Sequence, residues 1–93
     1  MARFTQDAQE MQHIQQVHIS ATGFMIRERG MLRLIMRDGS EVTGILAGTH
    51  TDNNSGEGGF WAVCGTVKLI IDGTQHEFDA LEVDYVVPAK RSV

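Results

Sequence analysis

Four histidines, His13, His18, His50 and His76, are the side chains best suited to hold a metal or move a proton, and their spacing argues against both. His13 and His18 stand five positions apart, which separates them around a helix instead of stacking them on one face. The loop "HTDNNSGEGG" places Asp52, Asn54 and Gly56 where a calcium loop would begin. Its glycine falls one place early, and the twelfth position is Val63 rather than a glutamate, so it fails as an EF-hand. Gly56 and Gly58 lack the third glycine of a dinucleotide fingerprint. The carboxylates Asp79, Glu82 and Asp84 cluster in sequence without a partner base, and acids on a loop are commonly only solubilising. Cys64 has no second cysteine to pair with, and "FWAVCGTV" surrounds it with apolar residues, as befits a buried thiol. These residues make no catalytic constellation. No enzyme activity, metal or cofactor is expected.

Ligand-binding candidates remain. Arg27, Arg29, Arg33 and Arg37 form a basic group, with Glu28 and Glu41 as ready ion-pair partners. Trp61 can stack on a nucleobase or close a core, and His50 sits in the polar loop. The chain carries eight basic and twelve acidic side chains, a net charge of −4, which disfavours a general RNA coat.

The elements that must position these residues follow from periodicity. Hydrophobic content of 42% and a charged fraction of 22% fit one globular domain over residues 1–93. Phe4, Ala8, Met11, Ile14 and Val17 recur at spacings of three and four, which predicts a helix over 5–19, with Thr5, Asp7 and Glu10 as capping signals. The opposite face is rich in glutamine: Gln6, Gln9, Gln12, Gln15 and Gln16. Gly23 marks the end of this unit, and 24–29 reads as either strand or turn.

From Met31 the period changes to two. A strand over 31–37 meets Asp38-Gly39, a hairpin signal. A three-residue turn, Asp38-Gly39-Ser40, pairs Met36 with Val42 and Leu32 with Leu46, and puts Gly44 opposite Leu34. Residues 49–59 read as a loop and 60–71 as a strand. A two-residue turn at Asp72-Gly73 then sets Val67 opposite Phe78 and Lys68 opposite Glu77. A short strand, 84–87, ends at Pro88. A helix followed by five short strands predicts a mainly β fold, a small closed barrel over 31–88 with the helix across one end. The start "MARFTQDAQEMQ" has no secretory apolar core and no run approaches a membrane span, so a cytoplasmic protein is expected.

Over residues 5–88 the chain resembles the Sm-like family, bacterial Hfq included, within the broader class of SH3-like barrels. The resemblance rests on Leu32, Leu34, Met36, the turn Asp38-Gly39, then Val42, Gly44 and Leu46, and on the closing "ALEVDYVVP". It implies a ring-forming five-stranded barrel in which the fourth strand of one subunit pairs with the fifth of the next. Transferred here, Thr74–Asp79 and Asp84–Val87 become the mating edges, with Thr74, His76, Phe78, Tyr85, Val86 and Val87 at the interface. The family's first RNA motif has an Asp and, four residues on, an Asn; the matching positions hold Thr49 and Asn53. Its second motif, Arg-Gly or Lys-His, is replaced by Asp79-Ala80-Leu81-Glu82. The expectation is therefore a non-enzymatic homo-oligomeric scaffold or adaptor with a protein partner. The alternative is an RNA-binding ring whose contacts come from Arg27–Arg37, the helix and the 49–59 loop.

Overall fold

The computed structural model describes residues 2–27, 29–54 and 62–89. Helix α1 (Ala8–Arg27) precedes strands β1 (Met31–Met36), β2 (Glu41–Asn54), β3 (Ala62–Ile71), β4 (Thr74–Asp79) and β5 (Val83–Pro88). A single 3-10 turn, Ala80–Glu82, joins the last two. The strands form one antiparallel sheet in the order β4-β3-β2-β1-β5, with α1 packed on its core face. The expected helix on a mainly β, five-stranded fold is what forms. Among the described residues β4 and β5 are the two ends of its hydrogen-bonded ladder.

The helix is longer than its sequence pattern suggested. Ile14, Val17, Ala21 and Phe24 are all buried, so the apolar stripe continues at spacings of three and four straight past Gly23. Glycine inside a helix costs about 1 kcal/mol against alanine, which the burial of Ala21 and Phe24 offsets. The stop comes later, where Arg29 and Gly30 take positive φ values of 54° and 82° and the Gly30 N–H donates to the Phe24 carbonyl at 3.0 Å. At the other end, Asp7 caps α1 by accepting from the Gln9 N–H at 3.1 Å. Glu10 turns back to Arg3 and to the Thr5 hydroxyl, and these hydrogen bonds, Arg3's first, hold its carboxyl below the usual carboxylate range.

The first hairpin keeps the expected faces but not the expected register. Leu34 lies opposite Val42 and Leu32 opposite Gly44, two places from the predicted pairing. The Met36 N–H bonds the Ser40 carbonyl at 2.8 Å, so the loop is Arg37-Asp38-Gly39, one residue earlier than read. Asp38 decides this by accepting from both the backbone N–H and hydroxyl of Ser40. A shift by two preserves side-chain parity, which is why Leu32 and Leu34 still reach the core. Gly44 is required for a close approach: a Cβ there would stand 2.9 Å from the Ile70 carbonyl oxygen. The second hairpin forms as read, with Val67 opposite Phe78 and Lys68 opposite Glu77. Asp72 and Gly73 both take positive φ, as a tight two-residue turn demands.

The segment from residue 49 is not all loop. β2 runs to Asn54, pairing Thr49 with Val67, Thr51 with Gly65 and Asn53 with Val63. Its ladder is made by the backbone against β3, so its side chains needed no apolar alternation, and none is legible in the sequence. α1 crosses this ribbon at Gly65, where an added Cβ would collide with Cγ2 of Ile14. Thr5 pairs with Val63 on the stretch of β3 edge that β4 leaves uncovered. Ile14, Leu32, Leu34, Val67, Leu69 and Val83 form the centre of the core. Each buried aliphatic of this kind contributes roughly 1.5–3 kcal/mol.

Candidate functional site: two open strand edges and a groove beside the helix

All six residues of β4 pair with β3 on one side, and five of the six of β5 pair with β1 on one side. Neither has a strand partner on its other side among the described residues. Across β3, Phe78, His76 and Thr74 face Val67, Leu69 and Ile71, which puts them on the core side of the sheet. Gln75, Glu77 and Asp79 point the other way. The His76 and Phe78 rings lie 6.5 Å apart and tilted by 31°. His76 is exposed and Phe78 half-buried at the rim of the core.

β5 carries a bulge. Ile35 pairs with Tyr85 and Met36 with Val83, leaving Asp84 as the extra residue. This insertion lets both Val83 and Val86 face the core while Tyr85 stays 53% exposed. Pro88 pairs with Leu32 and ends the ladder, having no N–H to donate.

The turn between the two edges is held from several directions. Asp79 Oδ1 accepts from the Leu81 N–H at 3.0 Å and Oδ2 from the Arg3 N–H at 2.9 Å. Ala80 and Leu81 are buried beneath it. Arg37 donates its N–H to the Glu82 carbonyl at 2.9 Å. Asp79 is thus a cap.

Beside β5 runs a groove of about 300 Å³, lined on the helix by Gln9, Gln12, His13 and Gln16 and on the strand by Asp84 and Tyr85. His13 Nε2 donates to the Val83 carbonyl at 2.6 Å and fixes the helix to the start of β5. Among the described residues the three glutamine amides make no hydrogen bond within the chain. Sequence reasoning noticed the glutamine-rich helix face but assigned it nothing; the spacing of Gln9, Gln12 and Gln16 was the available signal.

The ligand-binding candidates are dispersed. Arg33 pairs with Glu41 at 3.1 Å, and its Nε is buried without a partner. Arg29 is exposed in the turn before β1, whereas Arg37 lies beyond the far end of that six-residue strand, on the order of 20 Å away. The side chain of Arg27 lies outside the described residues, as do Trp61 and Glu28 and residues 55–60 of the polar loop. His50 and Asn53 are exposed on β2, but His50 pairs with Thr66 and Asn53 with Val63, on opposite faces of the ribbon. No basic surface unites these groups among the described residues.

Two further side chains are shaped by burial. His18 is wedged between α1 and the ribbon, with Nδ1 3.2 Å from the Thr51 hydroxyl and Nε2 buried beside Gly65. Burial, opposed by the Thr66 carbonyl and aided by His50, lowers its pKa from the ordinary histidine value. Burial likewise raises that of the Cys64 thiol, which favours the unreactive protonated form. Among the described residues no three His, Cys, Asp or Glu side chains gather to hold a metal, and no helix is long and apolar enough to cross a membrane.

No family model matches the chain. No curated protein matches it either. A solved structure does: a Xanthomonas campestris protein whose crystal structure is described as adopting a novel variant of the Sm-like motif. The match has a TM-score of 0.71 at 12% identity and covers 95% of this chain and 94% of that one. Identity this low speaks to architecture alone. The helix, the five-strand order and the full-length match together show that this chain has an Sm-like fold.

Proposed function

We propose that this protein is a non-enzymatic Sm-like scaffold that assembles into a homo-oligomeric ring by pairing β4 of one copy with β5 of the next, and presents that ring to a protein partner. The observation that carries this reading is the pair of unpaired six-residue edges at the two ends of one sheet. A bare edge is a template for another strand, and soluble proteins seldom leave one uncovered. Because the two edges differ, their pairing is head-to-tail, and repeated application of one rotation gives a ring where that rotation closes and a filament where it does not. Thr74, His76, Phe78, Tyr85, Val86 and Val87 would line the seam.

An RNA-binding ring is favoured less, since the described arginines of the 27–37 group, Arg29, Arg33 and Arg37, are dispersed and the chain is acidic. Light scattering of the purified protein at low and moderate salt, with and without a short U-rich RNA, tests both readings. A closed oligomer that ignores RNA supports the scaffold. An RNA complex that salt dissolves replaces it with the RNA-binding ring, because phosphate contacts are salt-sensitive. A monomer at all concentrations overturns the ring.

A further inference from the structure

The groove between α1 and β5 is open in the single chain, Thr74 and His76 on the core side of β4 are exposed there, and their positions are complementary. We infer that in the assembled ring the groove of one copy receives the core-side side chains of the next copy's β4, His76 foremost, so that Gln9, Gln12 and Gln16 of α1 belong to the subunit interface. This rests on the ring reading above.

Three observations lead to it. The groove is walled by Asp84 and Tyr85 on one side and by the helix on the other, so it lies along the edge of β5. A strand added to that edge must run beside it. Side chains in a strand alternate between faces, and sheet faces continue from strand to strand. With its core face kept as core face, an added β4 would direct Thr74, His76 and Phe78 towards the helix, and Gln75, Glu77 and Asp79 away from it.

The chemistry of the two surfaces agrees with this placement. Gln9, Gln12 and Gln16 supply amides that can both donate and accept, Tyr85 an exposed phenol and Ser20 a hydroxyl. No lysine or arginine lines the groove, so it is poorly suited to phosphate. It suits an uncharged hydrogen-bonding side chain such as an imidazole or a hydroxyl. His76 and Thr74 are of this kind, and both are exposed in the single chain. The glutamine row then distinguishes the correct strand edge from an arbitrary one, since unfilled amides would be buried by an apolar substitute.

The direct test is a crosslink. Gln12→Cys and Gln16→Cys are each combined with His76→Cys in the full chain with Cys64→Ser throughout, so that no native thiol remains, then oxidised gently and run on a non-reducing gel beside the single variants. Expected is a ladder of covalent species above the dimer in at least one double variant, with single variants giving dimers at most. If light scattering shows the double variants assembled while both ladders are missing, the groove does not receive β4 and this inference fails alone. If the unmodified protein is a monomer, the ring reading fails and takes this one with it. A second readout guards against misfolding. His76→Ala and Gln12→Ala should each weaken subunit association about tenfold, and the double variant little further, because both remove the same contact. Full additivity, or no effect in an assembled protein, would contradict the contact.

Discussion

At the scale of single residues, Gly65 and His18 decide how closely α1 approaches the β2–β3 ribbon. Gly65→Ala would drive a methyl into Cγ2 of Ile14. Overpacking of this kind costs roughly 1–3 kcal/mol. Chemical denaturation should show a lower midpoint with an unchanged slope, and an unchanged midpoint would mean the helix does not sit on Gly65. His18 adds a pH dependence. Its folded pKa lies below the unfolded value of 6.5 because burial disfavours the imidazolium. The unfolded chain therefore takes up the proton first as pH falls. The stability contributed by neutral His18 is complete above 6.5 and is lost as pH drops towards the lowered folded value. His18→Gln should flatten the stability profile across that window, and a profile as steep as the parent's would place the titration elsewhere. Neither role was legible in the sequence. A glycine in a strand and a histidine on a helix show no sign of each other until the ribbon is paired.

At the scale of elements, what the sequence disclosed depended on where the driving interaction lies. The Asp72-Gly73 hairpin was readable to the residue because both turn positions take positive φ and the Lys68–Glu77 pair stands across it at 3.9 Å. Gly73→Ala, at φ 81° and with open space around it, should cost about 1 kcal/mol through backbone strain alone. Thermal unfolding should register that as a midpoint lower by several degrees with the oligomeric state intact; an unchanged midpoint would argue against the positive-φ turn. The Asp38-Gly39 hairpin was readable only in parity, since hydrophobic alternation cannot tell a register from one shifted by two. Side chain to backbone bonding by Asp38 settled it. The helix ran eight residues past its expected end at residue 19, to Arg27, because Ala21 and Phe24 continue the buried stripe. Gly23 was weighed as a stop when the positive φ of Gly30 was the real one. β2 beyond Thr49 was missed altogether, for its pairing is carried by backbone groups and its side chains are polar.

At the scale of the whole molecule, the topology ends in two strands with no strand partner on their outer sides among the described residues. β4 bonds β3 and β5 bonds β1, and the turn Ala80–Glu82, capped by Asp79, leads from one end of the sheet to the other. The edge segments were legible because they are short strands flanked by a tight turn and a proline. The groove was not, since glutamines on a helix normally mean only a solvated face. If copies meet through these edges, stability depends on concentration, because association favours the folded chain by mass action. The thermal midpoint should therefore rise with protein concentration in the parent, and concentration-independent melting would argue for a solitary barrel. Tyr85→Asp places a charge on the exposed rim of β5 without touching the core. The first measurement is therefore the molar mass of the parent and of Tyr85→Asp by size-exclusion chromatography with light scattering, over a tenfold range of concentration. Expected is a single closed oligomer for the parent and a folded monomer, or a far weaker oligomer, for the variant. A parent that elutes as a monomer throughout, or a variant whose oligomer is as tight as the parent's, would contradict assembly through β4 and β5.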